Sequence, residues 1–122
     1  DPKRLAMIVA VLGRHAGVPL GAADVFVNVA GGVRIDEPGA DLAVALAIAS
    51  AARGVPVWPA LGAFGEVGLT GRLRPATQAE RRLDECRKLG LETVLAPIGT
   101  KGAALEADTL RRALTLALEK PA

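Results

Sequence analysis

Aromatic side chains are nearly absent from this chain of 122 residues, which has one Trp, two Phe and no Tyr. Base stacking on aromatic rings therefore has little to work with, and the core has to be built from Ala, Val, Leu and Ile. A single cysteine, Cys86, excludes a disulfide framework and a cysteine-ligated metal set. It falls at an inward position of a helical pattern and reads as a buried structural thiol. The lone His15 has no His or Cys partner, which excludes an ordinary zinc site. No Gly-x-x-x-x-Gly-Lys-(Ser/Thr) loop is present, so nucleotide binding of the P-loop kind is excluded. No Cys-x-x-Cys pair is present either. Nothing reads as a signal peptide. The longest apolar run, Leu42 to Ala52, is broken only by Ser50 and is too short to span a bilayer. A soluble cytoplasmic protein with no membrane partner is expected.

The length fits one domain over residues 1–122, large enough to bury a core without staples. Fifteen basic residues against thirteen acidic ones leave a net charge of +2, so the chain as a whole is not strongly basic. Eleven of the fifteen are Arg. The planar guanidinium suits phosphate, and an Arg bias follows equally from genome composition.

The apolar spacing predicts a helix over Pro2–Ala16, with Leu5, Ile8, Val9, Leu12 and Ala16 inward. Asp24–Ala30 and Val33–Ile35 alternate like strands around a Gly31-Gly32 turn. Asp36-Glu37-Pro38 is a helix entry. Ala40–Arg53 is apolar all round, as a central helix would be, and Gly54 ends it. Leu61–Val67 reads as a strand, with Leu69–Leu73 as its continuation or partner. Thr77 and Glu80 form a capping-box pattern for a helix to Leu89. That helix has Ala79, Leu83, Cys86 and Leu89 inward and Arg81, Arg82, Glu85 and Lys88 outward. Glu92–Ala96 is a short buried strand, Pro97–Gly102 a loop, and Asp108 caps a last helix reaching Glu119. The order implies an α+β fold with a mixed sheet packed against helices.

Two motifs carry a resemblance. Gly65-Glu66-Val67-Gly68-Leu69-Thr70-Gly71-Arg72-Leu73-Arg74-Pro75 resembles the Gly-Glu-(Ile/Val)-x-Leu-x-Gly-x-(Val/Leu)-x-Pro strand pair of Lon-type proteolytic domains. Pro38-Gly39-Ala40-Asp41 resembles their Pro-Ser-Ala-Gly nucleophile turn, with Gly39 in place of the serine. The catalytic lysine of that family falls at or near Glu80, so the Ser–Lys dyad is missing at both degenerate positions. The only serine is Ser50. A wider likeness includes Lys3-Arg4-Leu5-Ala6, Pro19-Leu20-Gly21, Asp24 to Ile35 and Asp41 to Ala47. Over essentially the full chain it resembles the C-terminal Lon protease-like domain of the RadA (Sms) DNA-repair family.

That resemblance implies a ribosomal protein S5 domain 2-like fold without peptidase activity, belonging to a larger RecA-like ATPase. It also implies ATP, Mg and Zn sites elsewhere in such a protein and none in this domain. The implied partners are DNA (duplex, branched or single-stranded), further copies in a homo-hexamer, and the recombinase machinery. Backbone-directed DNA binding would use basic side chains on one face. The candidates are Lys3, Arg4, Arg14, Arg34, Arg72, Arg74, Arg81, Arg82, Arg87 and Lys88. Each is equally compatible with a solvated surface charge or ion pair. Arg34 stands beside Asp36 and Glu37, and Arg81 and Arg82 have Asp84 and Glu85 within reach. For the ring interface the candidates are Val18, Pro19, Leu20, Val57 and Trp58, with Trp58 either an anchor or a cap on the local core. Two other readings stay open: a ring scaffold without DNA contact, and a peptidase with a relocated nucleophile such as Thr70 or Thr77.

Overall fold

The computed structural model describes residues 2–21, 24–27 and 37–118. Its elements are α1 (Pro2–His15), a 3-10 turn (Pro38–Ala40), α2 (Asp41–Arg53), β1 (Leu61–Ala63), β2 (Glu66–Val67), β3 (Leu73–Arg74), α3 (Ala79–Lys88), β4 (Thr93–Pro97), β5 (Leu105–Ala107) and α4 (Leu110–Ala117). The α+β class holds. Pairing is divided between two sheets, a parallel one in the order β1-β4-β5 and an antiparallel hairpin, β2-β3.

Strand β4 explains the layering. Successive side chains of a strand point to opposite faces. Leu95 joins the larger core with Leu12, Leu42, Leu110 and Leu114, while Val94 and Ala96 join a smaller one with Phe64 and Leu83. Helices α1, α2 and α4 therefore cover one face and α3 the other, so β4 is buried on both sides, as central parallel strands are. The few aromatics leave a core of branched and small aliphatic side chains, with Leu12, Leu42 and Leu95 fully buried.

Helix α2 begins on the 3-10 turn and ends at Gly54, whose φ of 64° is left-handed, a conformation glycine adopts without a Cβ penalty. The hydroxyl of Ser50 donates to the Val55 carbonyl at 2.6 Å. The one serine thus closes the end of a helix.

Several local expectations are corrected. The proposed strand over 61–67 breaks at Phe64-Gly65: β1 pairs with β4, and β2 turns away to pair with β3. Gln78, not Thr77, caps α3, with a left-handed φ of 55° and no side-chain bond. The carbonyl of Thr77 instead accepts from Arg82. Leu89 is exposed because the helix has ended by then. At α4 the cap is Thr109, not Asp108; its hydroxyl accepts from the Arg112 amide at 3.1 Å. Strand β5 adds a third parallel strand where the sequence pattern shows none. Residues 24–27 form no strand, and the rest of the proposed hairpin, including Arg34, lies outside the described residues. So does Glu119, the proposed end of the last helix.

Candidate functional site

The turn that carries Gly39 is built by backbone hydrogen bonds to the β1–β2 junction. The Gly65 amide donates to the Gly39 carbonyl at 2.8 Å, and the Leu42 amide donates to the Gly65 carbonyl at 3.0 Å. Gly39 is buried. What covers it is Arg82, from the first turn of α3. Its Nε donates to the Thr77 carbonyl at 2.8 Å and its Nη2 to Glu37 Oε2 at 2.6 Å. A Cβ on residue 39 would lie 2.7 Å from Arg82 Nη2 and 3.2 Å from the Ala76 methyl. The space a side chain at residue 39 would occupy is thus filled by a guanidinium held at two points. Glu80 stays exposed. Nothing local in the sequence distinguishes Arg82 from Arg81, so the contact, 43 positions away along the chain, could not be read from it.

Next to Gly39 lies Asp41, 2% exposed, the one buried charged side chain among the described residues. Arg4 grips it with two bonds, Nε to Oδ1 at 2.7 Å and Nη2 to Oδ2 at 2.6 Å. Asp41 Oδ2 also accepts from the Val67 amide at 3.1 Å. One carboxylate therefore ties α1, α2 and β2 together. The bond to Asp41 and the charges of Asp41 and Glu66, whose Oε1 is 3.6 Å away, raise the Arg4 pKa above its usual value despite burial. Arg4 is a candidate whose guanidinium already has a protein partner.

Around this clamp opens a cleft of about 300 Å³, lined by Lys3, Arg4 and Met7 of α1 and by Glu66, Gly68, Leu69 and Arg74 of the hairpin. Arg72 is exposed on the same hairpin, where it bridges to Thr109 through the backbone. Arg72 and Arg74, like the exposed Arg14 and Arg81, have no ion pair among the described residues. On α3, across the parallel sheet, Arg87 pairs with Asp84 at 3.0 Å and Lys88 with Glu85 at 3.6 Å. Asp84 and Glu85 thus serve Arg87 and Lys88 rather than Arg81 and Arg82. The nine described basic candidates do not share one face.

Two arginines outside the candidate set converge on the end of α1. Arg53 Nη2 lies 3.4 Å from both the Ala16 and Gly17 carbonyls. The Arg111 guanidinium would sit 3.4 Å from a Cβ at Gly17. Cations suit the negative end of a helix. These two come from the end of α2 and the start of α4, so no local sequence signal marks them.

Of the interface candidates, Val18 belongs to the core. It is 2% exposed, held there by its amide's bond to the Leu12 carbonyl at 2.9 Å. Leu20 and Val57 are half-buried against the same core, and Trp58 remains 44% exposed. Cys86 is half-buried, and burial pushes its thiol pKa up. Among the described residues no group of three or more His, Cys, Asp or Glu could hold a metal ion. No described helix is long and apolar enough to cross a membrane.

Fold and site together define an α+β domain whose N-terminal helix is clamped to a Gly-Glu-Val hairpin beside a plugged glycine turn. Residues 4–100 match the family model ChlI, described as subunit ChlI of Mg-chelatase, and the chain belongs to that family. It is also 45% identical over 101 residues to the DNA repair protein RadA of Haemophilus influenzae and 48% over 100 residues to that of Brucella abortus. To RadA of Synechocystis it is 42% identical over 102 residues. These alignments cover 83%, 82% and 84% of this chain but 22%, 21% and 20% of the relatives. The chain therefore spans about a fifth of the length of the curated relatives it matches.

Proposed function

We propose that this chain is the non-peptidase, Lon-like domain of a RadA-type DNA repair protein, and that it binds DNA through the phosphate backbone and contributes to a hexameric ring. The DNA-binding reading rests chiefly on the cleft between α1 and the β2–β3 hairpin. Arg74 lines it and Arg72 flanks it, both without an acidic partner among the described residues. Such a surface neutralises phosphates without reading bases. For the ring, Pro19, Leu20, Val57 and Trp58 are the interface candidates that the core does not take up.

The absence of peptidase activity is supported by the Gly39 turn, where Arg82 fills the space a nucleophile would need. Ser50 is engaged in a helix end. In this reading ATP hydrolysis, its Mg and the zinc of a RadA-type protein belong to regions beyond residues 1–122.

A salt titration of duplex DNA binding by the chain tests the DNA part. Affinity should fall steeply and linearly in log–log form, with a slope of roughly −0.9 per phosphate neutralised. No binding at low salt would favour the ring scaffold. Labelling by a fluorophosphonate at Thr70 or Thr77 would restore the peptidase reading.

A further inference from the structure

The tip of the β2–β3 hairpin carries a leucine that the fold does not use. Leu69 is 74% exposed, in a chain that buries most of its large aliphatic residues. The turn beneath it is closed twice, by the Gly68 amide on the Arg72 carbonyl at 2.8 Å and the Gly71 amide on the Gly68 carbonyl at 3.0 Å. Gly71, at a φ of 87°, supplies the left-handed residue that a tight three-residue hairpin loop requires. A Cβ there would also strike the His15 side chain at 2.8 Å, so the hairpin packs closely on the end of α1. Leu69 is therefore an apolar point on a fixed support.

Its surroundings say what it would meet. Lys3 and Arg74 line the same cleft as Leu69, and Arg72 follows it on the hairpin. Of the described carboxylates beside the cleft, Asp41 is buried under Arg4 and Glu66 lies 3.6 Å from Arg4. One projecting aliphatic side chain framed by cations gives too little apolar area for a hydrophobic protein partner. It matches a polyanion whose apolar faces lie between its charges, which is nucleic acid with a base step opened. Proteins that distort duplexes insert such aliphatic wedges, flanked by basic residues. Unstacking costs least where pairing is already interrupted. With aromatics almost absent, an aliphatic wedge is also the means this composition offers.

We propose that Leu69 is a wedge that enters the stack where a DNA duplex opens into single strand, with Arg72 and Arg74 holding phosphates beside it. This rests on the DNA-binding reading above. The test is a forked duplex with 2-aminopurine as the last paired base, compared with a blunt duplex carrying it internally. Binding of the chain should raise fluorescence at the fork and leave the blunt duplex unchanged. Leu69→Ala, at a surface position that leaves the fold intact by circular dichroism, should abolish the rise and lower fork affinity to that for the blunt duplex. Its salt slope should not change. Arg74→Ala should lower the slope by about one and keep the rise at saturation. Tight binding without a fluorescence change, or a rise that survives Leu69→Ala, overturns the wedge and leaves DNA binding standing. No binding to either DNA at low salt overturns both.

Discussion

Arg4 and Asp41 meet side-on through two hydrogen bonds of 2.7 and 2.6 Å, joining the first turn of α1 to the first turn of α2. Arg4 keeps part of its side chain in water, while Asp41 is nearly sealed. Losing the cation leaves a buried carboxylate with only the Val67 amide. Arg4→Met should therefore destabilise the chain by about 3 kcal/mol, read as a fall in urea midpoint. Adding Asp41→Asn should recover part of that loss, because no uncompensated charge is then buried. A double variant no more stable than Arg4→Met would contradict this account.

A side chain at residue 39 requires the end of the Arg82 side chain to shift. Gly39→Ser is expected to cost at most about 1 kcal/mol, because it meets the end of a flexible, partly exposed side chain whose ion pair with Glu37 is worth little, and to give no peptide hydrolysis. Gly39→Ser combined with Arg82→Ala should be more stable than the sum of the single effects, because the alanine vacates the space the serine needs. A urea double-mutant cycle measures that coupling.

The division of basic residues between two layers predicts unequal roles in DNA binding. Arg74→Ala should weaken binding on all sequences alike and reduce the salt slope by about one. Arg87→Ala should leave both nearly unchanged, since that side chain is engaged with Asp84 across the sheet. Fluorescence anisotropy at several salt concentrations distinguishes the two. Equal losses would mean that α3 also faces DNA.

Burial disfavours the thiolate of Cys86 and raises its pKa. Alkylation by iodoacetamide should therefore respond to pH along a curve displaced upward from that of a free cysteine. The stability linked to this shift is fully present below the unfolded thiol pKa and is lost as pH rises through the folded value. In urea the two alkylation curves should merge. Identical curves for folded and unfolded chain would show that the side chain is open to solvent.

The long periodic segments were legible in the sequence. Helix α1 runs Pro2–His15 against the expected Pro2–Ala16, and α2 starts one residue after its expected Ala40. Shorter features depended on partners elsewhere. Strand β5 exists as three residues paired with β4 and carries little pattern of its own. At the start of α3 the sequence favours Thr77 as the cap, whereas the chain sets Gln78 left-handed and gives the Thr77 carbonyl to Arg82. At the site, the Pro38-Gly39-Ala40-Asp41 turn was visible from one motif. The guanidinium that fills the space was not, because Glu37 and Arg82 are 45 positions apart. Val18 looked available in a short apolar stretch, yet one backbone bond to Leu12 turns it inward.

Asp41 Oδ2 accepts from Arg4 of one cleft wall and from the Val67 amide of the other. Asp41 thus fastens both walls, with Glu66 beside it, and the backbone separation of α1 and the hairpin is set by the fold before any ligand arrives. Under the proposed DNA-binding reading, a phosphate backbone entering there meets a preset spacing, and selectivity arises from which DNA shapes bend to it most cheaply.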